Sequence, residues 1–407
     1  MKNGITEGFV RSIPKTELHV HLDGSLRIPT LIELARRGKV KLPSMTESGL
    51  REKVFKDKYK DLPDYLTGFA YTCAVMHTAE NLERIGYELI QDHLAEGVRY
   101  IEIRFAPQLH THARLSMKQV IHAVCKGMDQ ARKEHNRSEA VRKGLDIPCH
   151  YGLILCALRF FNEHMSPYYK QICHVMPYAP PKKVFAAASL ELARAAVQLA
   201  HHDGYPVVGF DLAGAEKGFP AGDHKEAFQY AHSHFIRKTI HAGEAYGPES
   251  IFQAITDCYA NRIGHGTWLF ADTMVKSVPP DEAKAYVSYL AEYIASQRVT
   301  IEVCLTSNLQ TLPHMKSIAR HPLRKMLDHD LSVSICTDNR LMSNTTVTDE
   351  IMLAVKHLKM NPRELRNVVI AGFKGSFFPG TYKEKRAYVR RVIDQYDSLA
   401  AKAGLHA

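Results

Sequence analysis

Apolar residues recur along the chain in short strand-like runs, and helical periodicity follows most of them. Eight such segments stand out, at residues 15–25, 99–106, 151–157, 206–212, 238–242, 262–265, 299–305 and 331–337. Residues 190–201, 251–259 and 281–297 carry the apolar spacing of helices, as do 29–37, with Gly38 as a stop, and 79–96. Strand followed by helix, eight times over, is the pattern of a parallel sheet. Eight units with mostly buried-type strands favour a closed (β/α)8 TIM barrel over an open doubly wound sheet. No G-x-G-x-x-G follows an early strand, as a dinucleotide-binding sheet would require. No Gly/Ser/Pro-rich linker divides the chain, so residues 1–407 read as a single domain. The first unit carries the largest insertion, and the tail from Asn361 onward reads as extra helices. Within the insertion, Leu62, Tyr65, Leu66 and Phe69 fall on one face of an expected helix. That face is either core packing or an apolar lid.

The first strand breaks the apolar rule. His19, His21 and Asp23 alternate along it and so share one face, while Leu18, Val20 and Leu22 take the other. A lone H-x-H is a weak metal signal. The barrel strengthens it, because chemistry in this fold gathers at the carboxyl ends of the strands. There the chain places Arg104 before Ala106-Pro107, Asp211-Leu-Ala-Gly214 with Glu216, and His241-Ala-Gly-Glu244. Gly264-His265-Gly266, Thr306-Ser307-Asn308 and Thr337-Asp338-Asn339 follow. His19, His21, His241, His265 and Asp338 should therefore meet in one mouth from four strands. Imidazoles with a carboxylate suit Zn2+, which would activate water. Glu244, past its strand end, is free to act as an acid, and His265 or Asp338 is placed to act as a base. The reaction class is metal-assisted hydrolysis, and spacing alone does not identify the substrate.

Charge changes this picture little. The formal net charge is +10, but the basic residues are scattered. The densest run, Lys383-Glu-Lys-Arg-Ala-Tyr-Val-Arg-Arg391, reads as a solvated helix face, so nucleic acid is not an expected partner. The eight cysteines include no C-x-x-C pair and read as small buried hydrophobes in a reducing compartment. Residues 1–10 lack the apolar run of a secretory signal, and no stretch is long and apolar enough to span a bilayer. The expectation is a cytoplasmic enzyme with no membrane partner.

The motifs, as a set, resemble the adenosine deaminase family. They are Pro14-Lys-Thr-Glu-Leu-His-Val-His-Leu-Asp-Gly-Ser25, Asp211-Leu-Ala-Gly214 with Glu216, His241-Ala-Gly-Glu244, Arg262-Ile-Gly-His-Gly266 and Thr337-Asp338. The likeness runs from about residue 12 to 380. It implies a barrel that hydrolyses the 6-amino group of adenosine and 2′-deoxyadenosine, with one zinc per chain and a purine nucleoside as its small-molecule partner. It further implies that His19, His21, His241 and Asp338 hold the zinc and that Glu244 protonates purine N1. His265 would orient and deprotonate the water, the Gly214 N–H would hold N3, and Asp23 would bind the ribose 5′-hydroxyl. Leu62, Tyr65, Leu66 and Phe69 resemble the family's lid. One position departs: many members carry a second Asp where this chain has Asn339. An amide donates N–H to purine N7 without first taking up a proton. Asp23 favours a nucleoside over a 5′-phosphate, which it would repel. The rival readings are a deaminase of adenine, methylthioadenosine or aminodeoxyfutalosine, and a non-catalytic barrel. The H-x-E…P-C-x-x-C signature of cytosine-type deaminases is absent.

Overall fold

The computed structural model describes residues 4–312 and 315–405, so the first three residues of the N-terminal stretch discussed above lie outside it. Eight strands form one sheet: β1 (Lys15–His21), β2 (Val98–Phe105), β3 (His150–Leu158), β4 (Val207–Ala213), β5 (Arg237–Ala242), β6 (Arg262–His265), β7 (Thr300–Val303) and β8 (Val333–Ile335). They lie in sequential order, and every neighbouring pair is parallel. The ring closes just beyond β8. Asp338 N donates to His19 O at 2.8 Å, and His21 N donates to Asp338 O at 2.8 Å. Closure of the barrel thus itself sets Asp338 beside the two histidines of β1. Leu18, Val20 and Leu22 are buried in the apolar layer behind the strand, as the alternation requires.

The helices wrap this sheet as the periodicity predicts. Ala79–Ala95 packs on β2, and Met117–Asn136 packs on Ala79–Ala95. Their crossing is close enough that a Cβ at Gly127 would lie 1.8 Å from Glu83 O. Any larger residue there would drive the helices apart.

Four local expectations are corrected. The helix expected to stop at Gly38 spans Ile28–Gly38 and ends at Lys39, whose left-handed φ of 54° turns the chain so that Val40 N donates to Ala35 O at 2.8 Å. The 62–69 face belongs to two short helices, Leu62–Leu66 and Phe69–Cys73. Between them Thr67 Oγ1 donates to Asp64 O, and Ala70 and Tyr71 bond three residues back, which tightens the turn. Strands β7 and β8 are shorter than the apolar runs, so Thr306, Ser307 and Asn308 sit on a helix, Leu305–Thr311. Of the tail, Pro362–Gly375 packs on β8 and β1 and is the eighth barrel helix. The helix Tyr382–Lys402 is additional. It buries Tyr388, Val392 and Tyr396, and its basic run includes an Arg390–Asp394 pair at 3.1 Å. The eight cysteines are free. Among the described residues no helix is long and apolar enough to cross a membrane.

Candidate active site

The carboxyl mouth of the barrel brings together the residues that the strand-end pattern singled out. One donor atom from each of His19, His241, His265 and Asp338 lies within 4.8 Å of all the others. His21 joins them, its Nε2 3.2 Å from His241 Nε2 and 3.5 Å from Asp338 Oδ1. All five side chains are buried. His265 and Asp338 both hold left-handed backbone angles, with φ of 66° and 61°. Such strain costs about 1–3 kcal/mol per residue and persists where the surroundings over-determine it.

A layer of charged residues beneath the mouth sets the imidazole tautomers. His19 Nδ1 donates to Glu302 Oε2 at 2.8 Å, and His241 Nδ1 donates to Asp211 Oδ2 at 3.1 Å. Glu302 also accepts from Arg104 at 2.8 Å, Arg262 at 2.6 Å and Thr239 at 2.8 Å, and Asp211 accepts from Arg104 at 3.0 Å. With their Nδ1 protons engaged, His19 and His241 turn bare Nε2 lone pairs toward the Asp338 carboxylate. His19 Nε2 is fully buried, 3.4 Å from Asp338 Oδ1, and makes no well-formed hydrogen bond. Lone pairs and a carboxylate converging on one buried point repel one another unless a cation sits among them. The donor set fits a divalent metal with nitrogen and oxygen ligands.

His265 is held differently. Leu323 N donates to His321 Nδ1 at 3.1 Å, and burial keeps His321 neutral, pushing its pKa down to about 3. The single His321 proton is therefore on Nε2 and goes to Asn308 Oδ1 at 3.1 Å. The Asn308 amide then donates from Nδ2 to His265 Nδ1 at 3.1 Å. Turning the amide over would leave His321 accepting at both nitrogens, which a neutral imidazole cannot do. His265 consequently carries its proton on Nε2, facing the mouth. A protonated nitrogen is a donor and not a metal ligand. This separates His265 from His19, His21 and His241 although it lies among them.

Glu244 sits 3.8 Å from that His265 Nε2. Burial, reinforced by the negative charges of Asp338 and Glu216, pushes its pKa up to about 8. Its loop is organised by Glu216, which accepts from four successive backbone groups. These are Gly243 N at 3.1 Å, Glu244 N at 3.0 Å, Ala245 N at 2.6 Å and Tyr246 N at 3.0 Å. Trp268 Nε1 donates to Glu244 O at 3.0 Å from the other side. Ser307 Oγ donates to Asp338 Oδ2 at 2.6 Å.

The remaining expected site residues surround this centre. Phe69 stands edge-on to His21, with ring centroids 6.3 Å apart, and Leu62 and Leu66 are half-buried on the core. Tyr65 is buried, and its hydroxyl meets Ser343 Oγ at 2.9 Å, which ties the lid segment to the short helix Arg340–Ser343 that follows β8. Gly214 follows β4 with a φ of 98°, in the left-handed region that favours glycine. Asn339 is buried, and its Oδ1 has no partner. Asp23 is buried with Oδ1 unpartnered, and burial raises its pKa to about 7. Sequence reasoning missed Glu302, His321, His110 and Cys73. It named Asp211, Glu216 and Asn308 only as parts of motifs, with no role.

A closed parallel barrel with imidazoles and a carboxylate gathered at its carboxyl mouth defines a metal-dependent hydrolase. The adenosine deaminase family model matches residues 14–173 and 178–395. The chain belongs to the adenosine deaminase family and is a hydrolytic deaminase. It is 35% identical to an adenosine deaminase of Mycobacterium avium, over 94% of this chain and 95% of that one. It is 34% identical to a probable adenosine deaminase of Dictyostelium discoideum over 92% of its length, but spans only 42% of that longer relative. Among solved structures it resembles an adenine deaminase from Arthrobacter aurescens, with a TM-score of 0.74, 23% identity, and coverage of 94% and 99% of the two chains. It also resembles an N6-mAMP deaminase from Arabidopsis, with a TM-score of 0.70, 25% identity, and coverage of 95% and 99%.

Proposed function

We propose that the protein deaminates adenosine and 2′-deoxyadenosine to inosine and deoxyinosine, releasing ammonia. The observation that carries this reading is the Glu244 carboxyl, buried 3.8 Å from His265 at the imidazole–carboxylate cluster, where burial raises its pKa and keeps it available as an acid. C6 of a purine resists water unless the ring is protonated as attack occurs.

His19, His21, His241 and Asp338 would hold the metal, with zinc the best match to the donors. Bound there, zinc would lower the pKa of a water towards neutrality, so that a weak base suffices. The His265 Nε2–H would donate to the attacking water's oxygen and aim it at C6. With Asn308 donating to its Nδ1, we read His265 as the group that orients the water, and Asp338, the other base the cluster offers, as the acceptor of its proton. Glu244 gives its proton to N1. Asp338 passes the proton taken from water to the departing amine, and the C6 hydroxyl proton restores Glu244. The Gly214 N–H holds N3, Asn339 donates to N7, and Asp23 meets the 5′-hydroxyl beneath the lid residues Leu62, Tyr65, Leu66 and Phe69.

Asp23 favours a nucleoside over a nucleotide. As a carboxylate it accepts from a 5′-hydroxyl and offers a 5′-phosphate no positive charge. Adenine is the second reading, since it lacks the sugar that Asp23 would bind. The test is the change in ultraviolet absorbance on converting adenosine to inosine, with zinc-loaded and chelator-treated protein side by side. Turnover by loaded protein, lost on chelation, is the expected result. Turnover of adenine or a 5′-monophosphate but not adenosine would overturn the substrate assignment.

Two further outcomes are expected. Asn308→Asp would accept a proton from His265 Nδ1 and turn that ring to its other tautomer. We expect kcat to fall about 10–100-fold with metal content unchanged, and imidazole nitrogen shifts would report the switch. An unchanged kcat would remove the donor role of His265. Asn339→Ala should weaken adenosine binding more than that of 7-deazaadenosine, which has no N7 acceptor. Equal losses for both would rule out the N7 contact.

A further inference from the structure

A second group of ligand-type side chains converges beside the first. Asp23 follows β1, His110 caps the turn after β2, and Cys73 ends the helix Phe69–Cys73. One donor atom from each lies within 4.8 Å of the other two. Asp23 is 4% exposed and His110 is fully buried. Asp23 Oδ1 and both ring nitrogens of His110 lack a well-formed hydrogen bond, the Met76 backbone being the polar group that touches the His110 ring. Buried polar atoms are nearly always paired, so this much unmet capacity in one place calls for a ligand.

We propose that Asp23, Cys73 and His110 form a second divalent-cation site that takes Zn2+ or a similarly soft ion. Thiolate, imidazole and carboxylate are each zinc ligands, and three of them leave a fourth tetrahedral position for water. The thiol disfavours Mg2+ and Ca2+, which select oxygen. Binding forms a sulfur–metal bond and releases the Cys73 thiol proton to solvent. Asp23 binds as the carboxylate and His110 as the neutral imidazole, and no oxidant or reductant is involved. The three residues come from the loop after β1, the lid segment and the loop after β2, so the ion stitches the lid to the barrel mouth. Where Asp23 also meets the sugar 5′-hydroxyl, ion and nucleoside compete. That consequence rests on the adenosine reading, whereas the site itself does not.

The test is titration of Co2+ into the full chain carrying one equivalent of zinc. The ligand set proposed for the catalytic metal contains no sulfur, so thiolate-to-cobalt charge-transfer absorption reports the second site alone. The expected result is a band that saturates at one added equivalent with proton release. It is lost in Cys73→Ala and retained in Cys173→Ala, the other half-buried cysteine. Excess Zn2+ should raise KM for adenosine in the wild type and not in Cys73→Ala. Absence of the band in the wild type, or its persistence in Cys73→Ala, would overturn the proposal. A band without adenosine turnover upholds the site and rejects the substrate, while turnover without a band does the reverse.

Discussion

Glu244→Gln is expected to lower kcat by about two to four orders of magnitude, with KM and bound metal little changed. The amide keeps the shape of the side chain and its place in the loop held by Glu216, but it cannot deliver a proton to N1. A loss shared equally between kcat and KM would point instead to a role in binding. The wild-type pH profile carries the same information. The Glu244 pKa is raised to about 8, by burial first and then by Asp338 and Glu216. An acid of that pKa is protonated below it and ionised above it, so activity should hold through neutrality and fall as pH rises. A cation bound by Asp338 offsets one source of the shift and places the limb in the loaded enzyme at or below that value. An alkaline limb that survives Glu244→Gln unchanged in position would assign it to another group.

Glu302→Ala is expected to destabilise the fold by about 3–5 kcal/mol, the range for removing one partner of a buried ionic network. Four side chains converge on this carboxylate, and all are buried: His19, Arg104, Thr239 and Arg262. Its removal takes one of two carboxylate partners from each of Arg104 and Arg262, which keep Asp211 and Glu102, and frees His19 to rotate. Metal affinity should fall about 10–100-fold as well. Urea denaturation of chelated protein measures the first effect, and metal competition the second. Burial raises the Glu302 pKa, but Arg104 and Arg262 overcome it and hold the group well below the ordinary value of 4.5. A depressed carboxylate stabilises the fold above its ordinary pKa and loses that contribution as pH falls. The wild type should therefore lose stability in acid more steeply than Glu302→Ala, and parallel curves would show that the network does not supply it.

Much of the site was legible in the chain. The H-x-H of β1 puts two imidazoles on one face because strands alternate, and the barrel rule places His241, His265 and Asp338 at the same mouth. The lid face was legible as apolar spacing, but its break at Thr67 was not. That break depends on a local hydroxyl–carbonyl bond and on Gly68, where a Cβ would lie 2.8 Å from Met342 Sδ. The helix Pro362–Gly375 read as an appendage because its amphipathic spacing does not reveal which strands it covers.

By itself the sequence determined the eight alternating units, the side of the barrel that carries the chemistry, and the residue types that face it. Those properties follow from period and from order along the chain. Only the tertiary structure decided which nitrogen of each histidine is free. Glu302 lies 283 residues from His19, Asp211 lies 30 from His241, and the Asn308–His321 pair reaches His265 from a separate segment. A tautomer is set by the hydrogen bond on the opposite side of the ring, and closure of the barrel supplies that partner from distant sequence. The Asp23–Cys73–His110 group arose in the same way: Asp23 was legible beside His19 and His21, but Cys73 and His110 joined it only when β1 and β2 paired and the lid segment folded over them.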